Sequence, residues 1–310
     1  MITVFGSLNV DYIFQVPQLP APGETVLASN MQVLPGGKGA NQAVAAARAG
    51  AKVSMVGAVG RDGLSKIALA GLLDAGVDTS AVALSTMPTG TAAINVDAQG
   101  ENAITVSSGA NLDARGDSLD EKNLTPRTTV LLQMEVPMTA MADLVQRARK
   151  KESCIVWNLA PMQSVDLALL KQVNCLIVNE VELNQLHSEF HQTLGPNNGS
   201  AKDVEQRAWD IFTLTRQSVV VTLGAKGTLA VHNNTLLTVP ALAISPVDTV
   251  GAGDAFTGAF TAALDRGETF PVALRWGSVA GGLACLETGA QSSLPTAAQI
   301  SEHLAALPGA

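Results

Sequence analysis

Hydrophobic and polar positions follow two different periods along this chain. Short apolar runs rich in branched residues, such as VSMVGAVG (53–60) and SVVVTLG (218–224), predict buried β-strands. Longer stretches with apolar residues three and four apart, such as GLSKIALAGLLDAG (63–76) and MTAMADLVQRARKK (138–151), predict amphipathic helices. Strand and helix patterns alternate several times without an internal repeat. This alternation predicts an α/β fold with a mostly parallel central sheet flanked by helices.

Three segments depart from that alternation. The chain opens with the strand pattern ITVFGSLNVDYIFQV, and TVLASNMQVL (25–34) alternates weakly, as an exposed strand or flap does. TGTAAINVDAQGENAITV (89–106) predicts a hairpin with Gly100 in its turn. We expect these segments to form a small sheet apart from the main body. The polar stretch LGPNNGSAKD (194–203) predicts a mobile surface loop.

Composition narrows the function classes. The chain has 310 residues, of which 47% are hydrophobic, so a single domain over 1–310 can bury a large core. A formal net charge of -8 argues against nucleic acid or an anionic membrane as a partner. No apolar run reaches 18 residues without a charge, and we find no signal-peptide pattern. These features predict a soluble, cytoplasmic protein.

The cysteines and histidines show no spacing typical of a metal site. The three cysteines are far apart, which favours small buried side chains in a reducing compartment over disulfides. We expect surface or capping roles for the four histidines. These residues are Cys154, Cys175, Cys285, His187, His191, His232 and His303.

The stretch DTVGAGD (248–254) carries the strongest chemical signal. Two glycines around Ala252 allow a tight turn whose N–H groups face one point, at the start of an apolar helical pattern. Such a turn suits a phosphate, and Asp254 beside it can take a proton from a hydroxyl that attacks a phosphoryl group. The alternative is an ordinary helix cap with a glycine turn.

Other polar residues follow predicted strands. Asn9 and Asp11 lie two apart, hence on one face of an extended chain, where they can hydrogen-bond a small polar ligand. PGGKGANQ (35–42) places Lys38 and Asn41 at a helix start, without the Walker phosphate-loop spacing. A helix cap is the alternative reading there.

Two acidic residues come next in the chain. Glu135 ends a strand pattern, so it is expected at the same edge of the sheet as the ligand-facing residues. Asn179 and Glu182 lie three apart at a strand–helix junction, where Glu182 can also serve as a capping residue.

The pairing of GGKGANQA near residue 40 with DTVGAGDAF near residue 250 resembles the ribokinase branch of the PfkB carbohydrate kinase family. Further fragments agree in order and spacing, so the resemblance covers almost the whole chain. They are SLNVD, SSGAN (107–111), LLQMEVP (131–137), VNEVE (178–182), TLGAKG (222–227) and TGAQSS (288–293).

The resemblance implies a large α/β domain with a small β-sheet lid, formed by about 12–35 and 89–106. The lid would close over a sugar and exclude water, and it would form the contact of a homodimer. The implied reaction is ATP-dependent phosphorylation of a sugar, with D-ribose the first expectation. The alternatives are another pentose, a hexose or a nucleoside. A silent sugar-binding regulator would be expected to lack the base or the anion hole, yet both are present in this sequence. An NAD-dependent oxidoreductase would carry G-x-G-x-x-G after its first strand, and this chain does not.

The same resemblance implies residue roles. Asp254 is the base, and Gly251, Ala252 and Gly253 form the anion hole. Asn95 stands where a lid residue near the sugar is usually apolar. The sugar would be lined by Asn9, Asp11, Gly37, Lys38, Asn41, Glu135 and Asp254, and the nucleotide by Asn179, Thr222, Gly224, Gly227, Gly253 and Ser278. Mg²⁺ would be held by Glu182 through water, and a monovalent cation, usually K⁺, by Asp248, the Val250 carbonyl, Gly289 and Ser293.

Overall fold

The computed structural model describes residues 1–194 and 203–307, so the predicted loop LGPNNGSAKD lies almost wholly outside the described residues. The strands are β1 Ile2–Phe5, β2 Asn9–Gln15, β3 Asn30–Gly36, β4 Val53–Gly60, β5 Asp78–Ser85, β6 Gly90–Val96, β7 Asn102–Ser107, β8 Thr129–Leu132, β9 Cys154–Asn158, β10 Cys175–Asn179, β11 Ser218–Thr222, β12 Thr228–His232 and β13 Thr235–Val239. The helices are α1 Lys38–Arg48, α2 Leu64–Asp74, α3 Met138–Lys150, α4 Leu167–Leu170, α5 Glu180–Glu189, α6 His191–Leu194, α7 Val204–Thr215, α8 Ala252–Asp265, α9 Phe270–Ala284 and α10 Ala297–His303.

A large sheet forms the centre of the molecule. In the described chain it has nine strands in the order β13-β12-β11-β10-β9-β8-β1-β4-β5, and every pairing is parallel except those of β12, which runs antiparallel to β11 and to β13. All residues of β1, β4 and β8 are buried, because helices cover both faces of the sheet. The predicted α/β fold is confirmed. The sequence pattern missed β5, whose residues are mostly exposed or half-buried without regular alternation.

Two apolar cores flank this sheet. One joins α1, α8 and α9 through residues such as Val44, Phe256 and Ala280. The other joins α3, α5 and α7 on the opposite face. Polar residues such as Gln133 and Asn158 lie at the carboxyl ends of the parallel strands.

A second, small sheet has the strand order β3-β2-β6-β7. Only residues 6–8 separate β1 from β2, so the chain passes directly from the large sheet to the small one. Asn9 and Asp11 therefore belong to the small sheet itself. Asp11 pairs with Ala92, whereas Asn95 pairs with Phe14, three positions further along. Since strand side chains alternate between faces, Asn95 lies on the face opposite to Asp11, and its expected position near the sugar is wrong.

Helices α1 and α8 pack closely on the same face of the large sheet. A Cβ placed on Gly258 would lie 2.5 Å from the Ala45 Cβ and 2.7 Å from the Gln42 carbonyl oxygen. Gly258 thus allows the backbones of the two helices to approach. This contact sets the distance between the PGGKGANQ and GAGD motifs, which begin these helices.

One expectation for the histidines is wrong. His187 is 5% exposed and its Nε2 lies 2.9 Å from Asp210 Oδ2, between α5 and α7. The sequence predicts a surface or capping role for His187. A single histidine on a short helix does not reveal a partner 23 residues further along the chain. Cys175 and Cys285 are buried and Cys154 is half-buried, all as free thiols. Of the helices in the described ranges, none combines the length and apolar character needed to span a membrane.

We predict that Gly258→Val lowers the free energy of unfolding by about 1–3 kcal/mol, because the added methyl groups force α8 away from α1. Urea denaturation monitored by circular dichroism measures this change. Gly63→Ala is the matched control, since Gly63 has an ordinary helical backbone and nothing within 4 Å of a new Cβ. Equal midpoints for the two variants would contradict the prediction.

Candidate active site

The carboxyl ends of neighbouring strands meet at one edge of the large sheet. Strands β11, β10, β9, β8 and β1 are adjacent in that order, so the residues that follow them converge. A cavity of about 240 Å³ opens there. Its lining includes seven of the residues singled out from the sequence and five others. They are Lys38, Asn158, Ala160, Ile177, Asn179, Glu182, Thr222, Thr249, Gly251, Gly253, Asp254 and Thr257.

Asp254 lies in the first turn of α8 and is 7% exposed. Gly251 precedes the helix with φ at 79°, a left-handed conformation that glycine adopts without strain. The first N–H groups of α8 have no partner within the helix, and the helix dipole adds positive potential there. The turn 251–253 therefore presents donors to an anion beside the Asp254 carboxylate.

Two amide side chains from α1 hold this carboxylate. Asn41 Nδ2 donates to Asp254 Oδ2 at 3.0 Å, and Gln42 Nε2 donates to Asp254 Oδ1 at 2.9 Å. Each carboxylate oxygen keeps a free lone pair, because an ionised carboxyl group accepts about four hydrogen bonds. Asp254 is thus oriented and still able to accept a proton.

Glu135 fixes the start of α1. Its Oε2 accepts from the Lys38 backbone N–H at 3.1 Å and from Ser7 Oγ at 2.5 Å. A carboxylate at a helix N-terminus is favoured by the dipole. The same Ser7 Oγ accepts from the Gly39 backbone N–H at 3.2 Å. Glu135 therefore anchors the PGGKGANQ turn to the end of β1.

Lys38 is half-buried among acidic groups. The pKa of its ammonium is raised, chiefly by the negative charge of Asp254 and then by Glu135 and Glu182, against the opposing effect of burial. Asp11 also faces this cluster. Burial raises the pKa of Asp11 to about 7, and the charges of Glu135 and Asp254 add to the shift. Four carboxyl groups therefore lie around one ammonium group, and two of them, those of Glu182 and Asp254, line the cavity.

Asn9 and Asp11 lie on β2 of the small sheet, above this cluster. Gly36 lies against the Asp11 carboxylate, since a Cβ there would overlap its oxygens. Gly37 has φ at 90°, and a Cβ there would lie 2.9 Å from the Asn9 backbone nitrogen. The Asn9 amide oxygen accepts from Asn111 Nδ2 at 2.7 Å, which leaves its own N–H groups free. These glycines let the PGGKGANQ turn pack against β2.

Asn179 and Glu182 form a capping box at the start of α5. The Asn179 N–H donates to Glu182 Oε2 at 2.8 Å, and the Glu182 N–H donates to Asn179 Oδ1 at 2.8 Å. The capping alternative is thus present, and both residues also line the cavity. Burial raises the pKa of Glu182. Within residues 1–194 and 203–307, no three His, Cys, Asp or Glu side chains cluster as a protein-only metal site.

The residues expected around a nucleotide are spread from the end of β11 to α9. Thr222 ends β11 and lines the cavity. Gly224 and Gly227 flank the following turn, both with positive φ, at 56° and 94°. Ser278 lies farther back on α9, where it is 7% exposed and its Oγ donates to Thr228 Oγ1 at 3.3 Å.

Three of the residues expected around a monovalent cation, Asp248, Val250 and Gly289, are joined by hydrogen bonds. Asp248 Oδ1 accepts from the Val250 N–H at 2.9 Å, and Asp248 Oδ2 accepts from the Gly289 N–H at 3.0 Å. Ser293 is 6% exposed, and its Oγ has no hydrogen-bond partner among the described residues. A buried hydroxyl oxygen without a partner fits a cation ligand.

Sequence reasoning missed the polar residues behind Asp254. Gln42 also donates to Asn158 Oδ1 at 2.9 Å, and Gln133 Nε2 donates to Gln42 Oε1 at 2.7 Å. Gln291 Nε2 donates to Asn41 Oδ1 at 3.0 Å. Gln42 could have been found as a polar side chain on an otherwise apolar helix face. Gln133 could have been found as a polar side chain at the end of an apolar strand.

A larger depression of about 450 Å³ lies at the amino ends of β10 and β11, around Asn174, Ser218 and His232. It contains none of the residues predicted to bind a ligand. We assign the chemistry to the smaller cavity because the base and the anion-binding turn are there.

Comparisons with known proteins identify the family of the chain. The model of the pfkB family of carbohydrate kinases matches residues 1–297. The chain is 34% identical to a ribokinase of Haemophilus influenzae over 98% of both chains. It is 30% identical to a deoxyribokinase of Salmonella typhimurium, again over 98% of both. The structure of Arabidopsis thaliana ribokinase complexed with ribose and ATP superposes with a TM-score of 0.86 at 29% identity, over 98% of both chains. The family expected from the motifs is confirmed: the chain belongs to the pfkB family of carbohydrate kinases.

Proposed function

We propose that this carbohydrate kinase transfers the γ-phosphoryl group of ATP to the 5-hydroxyl of D-ribose. The observation that carries the proposal is Asp254, a buried carboxylate held by two amides beside the N-terminus of α8. A base and an anion-binding turn in contact with one cavity are what phosphoryl transfer to an alcohol needs. The ribokinase relative, aligned over nearly its whole length, supports ribose as the sugar.

In the proposed reaction the sugar hydroxyl donates its proton to Asp254. The hydroxyl oxygen forms a bond to the γ-phosphorus, the bond from that phosphorus to the bridging oxygen breaks, and ADP leaves. The N–H groups at 251–253 offset the charge that develops on the phosphoryl oxygens. Catalysis is thus a matter of positioning and electrostatics.

Magnesium fits the acidic side of the cavity near Glu182. Mg²⁺ keeps much of its water shell, so one half-buried carboxylate together with phosphate oxygens is a sufficient set of partners. When bound, the ion neutralises negative charge on the phosphates. Glu182 would hold its waters, Asn179 would orient Glu182 through the capping box, and Thr222 would face the nucleotide.

A potassium ion fits the loop formed by Asp248, Val250, Gly289 and Ser293. The support is the carboxylate of Asp248 and the buried Ser293 Oγ that lacks a partner. A cation there would lie directly before the turn 251–253. Asp248 thereby links the cation loop to the backbone that binds the phosphoryl group.

Deoxyribose is the second candidate, because the deoxyribokinase relative matches the chain over the same share. The two sugars differ by one hydroxyl at C2. An acceptor such as Asp11, left without that hydroxyl, would cost about 1–3 kcal/mol. Asp11 therefore favours ribose in this proposal.

We further propose that the small sheet acts as a lid and pairs two copies of the chain. Strand β7 is its edge, and all six of its residues are exposed, including Ile104 and Val106 at 55% and 50%. Both lie on the face that carries Asp11, because Ile104 pairs with Ile94 and Val106 with Ala92. A second small sheet would cover this apolar surface.

The first test is ADP release from Mg-ATP over a panel of pentoses, hexoses and nucleosides, with and without potassium. We expect turnover with ribose that potassium increases.

Asp254→Asn should lower kcat by about 10²–10⁴-fold, since the base is lost. The control is Asp143→Asn, at an exposed position on α3, and this variant should retain wild-type kcat. Near wild-type kcat in Asp254→Asn would overturn the assignment of the base, and turnover confined to another sugar would overturn ribose.

The pKa of Asp11 predicts a pH-dependent KM for ribose. Asp11 is ionised above about pH 7 and protonated below it, and the ionised form accepts a hydroxyl at each oxygen, whereas the protonated form donates from one of them. KM should therefore rise about tenfold between pH 8 and pH 6. Asp11→Asn should raise KM and leave it flat over this range. If the variant keeps the wild-type slope, another group is responsible.

Sedimentation velocity tests the lid contact. We expect a dimer for the wild type and a monomer for Ile104→Asp, because the charge would be buried between two apolar faces. Thr105→Asp is the matched control, since Thr105 pairs with Ala93 and lies on the opposite face. Dimers in both variants, or a wild-type monomer, would contradict this contact.

A further inference from the structure

The hydrogen bonds around Asp254 extend into the protein along two arms. In the first, Gln133 donates to Gln42, and Gln42 donates to Asp254 Oδ1, at 2.7 and 2.9 Å. In the second, Gln291 donates to Asn41, and Asn41 donates to Asp254 Oδ2, both at 3.0 Å. Every step in both arms therefore points toward the carboxylate.

The outer end of each arm carries an unpaired oxygen. Gln133 Oε1 and Gln291 Oε1 are both buried and have no hydrogen-bond partner among the described residues. Glycines make room for them, because a Cβ on Gly6 would overlap the first oxygen and a Cβ on Gly71 the second. A buried oxygen without a partner costs about 1–3 kcal/mol. Some other requirement must therefore favour this orientation of the amides.

The ionised carboxylate of Asp254 supplies that requirement. A carboxylate only accepts hydrogen bonds, so the amides beside it must present N–H groups. The amide oxygens of Gln42 and Asn41 then face outward and need donors from Gln133 and Gln291. Turning an arm around would place an amide nitrogen where its outer oxygen lies and would aim an amide oxygen at the negative charge of Asp254.

We propose that Gln133 and Gln291 are positioning residues for the base: through Gln42 and Asn41 they keep the Asp254 carboxylate aimed at the sugar hydroxyl. The inference rests on the proposed function, since it assigns Asp254 as the base. Gln42 and Gln133 are fully buried and do not line the cavity, so they act on the substrate only through Asp254. Gln42 is also held from a third side by Asn158, whose Nδ2 donates to the Ile177 carbonyl at 3.1 Å.

A double-mutant cycle on kcat tests the first arm. Gln42→Met removes the donor to Asp254, Gln133→Met removes only the donor behind it, and methionine keeps the approximate volume of each site. We expect kcat to fall about 10–100-fold in Gln42→Met and about 3–10-fold in Gln133→Met, with KM for ribose within twofold of wild type. The double variant should be no slower than Gln42→Met, because Gln133 then has nothing to orient.

The exposed Gln163 is the matched control. Its Nε2 donates to the Met134 carbonyl at 2.5 Å, beside Gln133 but outside both arms, and Gln163→Met should keep the wild-type kcat and KM.

Additive effects of Gln42→Met and Gln133→Met, or a rise in KM without a fall in kcat, would each overturn the proposal. If Gln42→Met does not fold by circular dichroism, Gln291→Met and Gln133→Met are compared instead, and both must lower kcat with KM for ribose within twofold of wild type. Sugar phosphorylation by the wild-type protein tests the proposed function separately. A wild type that phosphorylates ribose with unaffected variants refutes the two arms alone, whereas a wild type inactive on every sugar refutes the assigned reaction.

Discussion

The site depends on one interaction, the hydrogen bonding of the Asp254 carboxylate by the first turn of α1. Asp254 starts α8, and its amide partners Asn41 and Gln42 start α1, more than two hundred residues earlier. Their distance is set by the contact of the two helices at Gly258 and by Glu135, which ties α1 to the ends of β1 and β8. The carboxylate is therefore held by the same packing that holds the core together.

Charge is concentrated around this interaction. Asp11, Glu135, Glu182 and Asp254 face a single ammonium group, that of Lys38. Burying like charges together opposes folding, and the raised pKa of Asp11 is one sign of it. In the proposed function, a sugar would offer hydroxyl donors to these carboxylates and a magnesium ion would offer positive charge. Ligand binding would then relieve part of this repulsion, as is common where binding sites are preorganised.

Much of this arrangement follows from the sequence. The α/β alternation, the helix starts at PGGKGANQ and GAGD, and the small sheet can all be predicted, because each rests on residues close together in the chain. The capping role of Glu182 also follows from its spacing to Asn179. Strand β5 could not be predicted, since it lies at an edge of the large sheet and shows no regular burial pattern.

The remaining features depend on pairing between distant segments. The face on which Asn95 lies is decided by its register with β2, which one strand alone does not reveal. His187 is buried because α7 brings Asp210 to it. The Gln133–Gln42 hydrogen bond joins residues 91 positions apart. A glutamine at the end of a strand is as consistent with a solvated loop as with a buried donor, so its role requires the fold.

The short link between the two sheets has a mechanical consequence. Asp11 lies on β2 of the small sheet and Asp254 on α8 against the large sheet, and only residues 6–8 connect β1 to β2. With the proposed roles, a rotation of the small sheet would change the distance between the group that recognises the sugar and the group that takes its proton. Sugar recognition and the angle of the small sheet would then be a single coordinate, along which a loosely fitting sugar leaves its hydroxyl out of reach of the base.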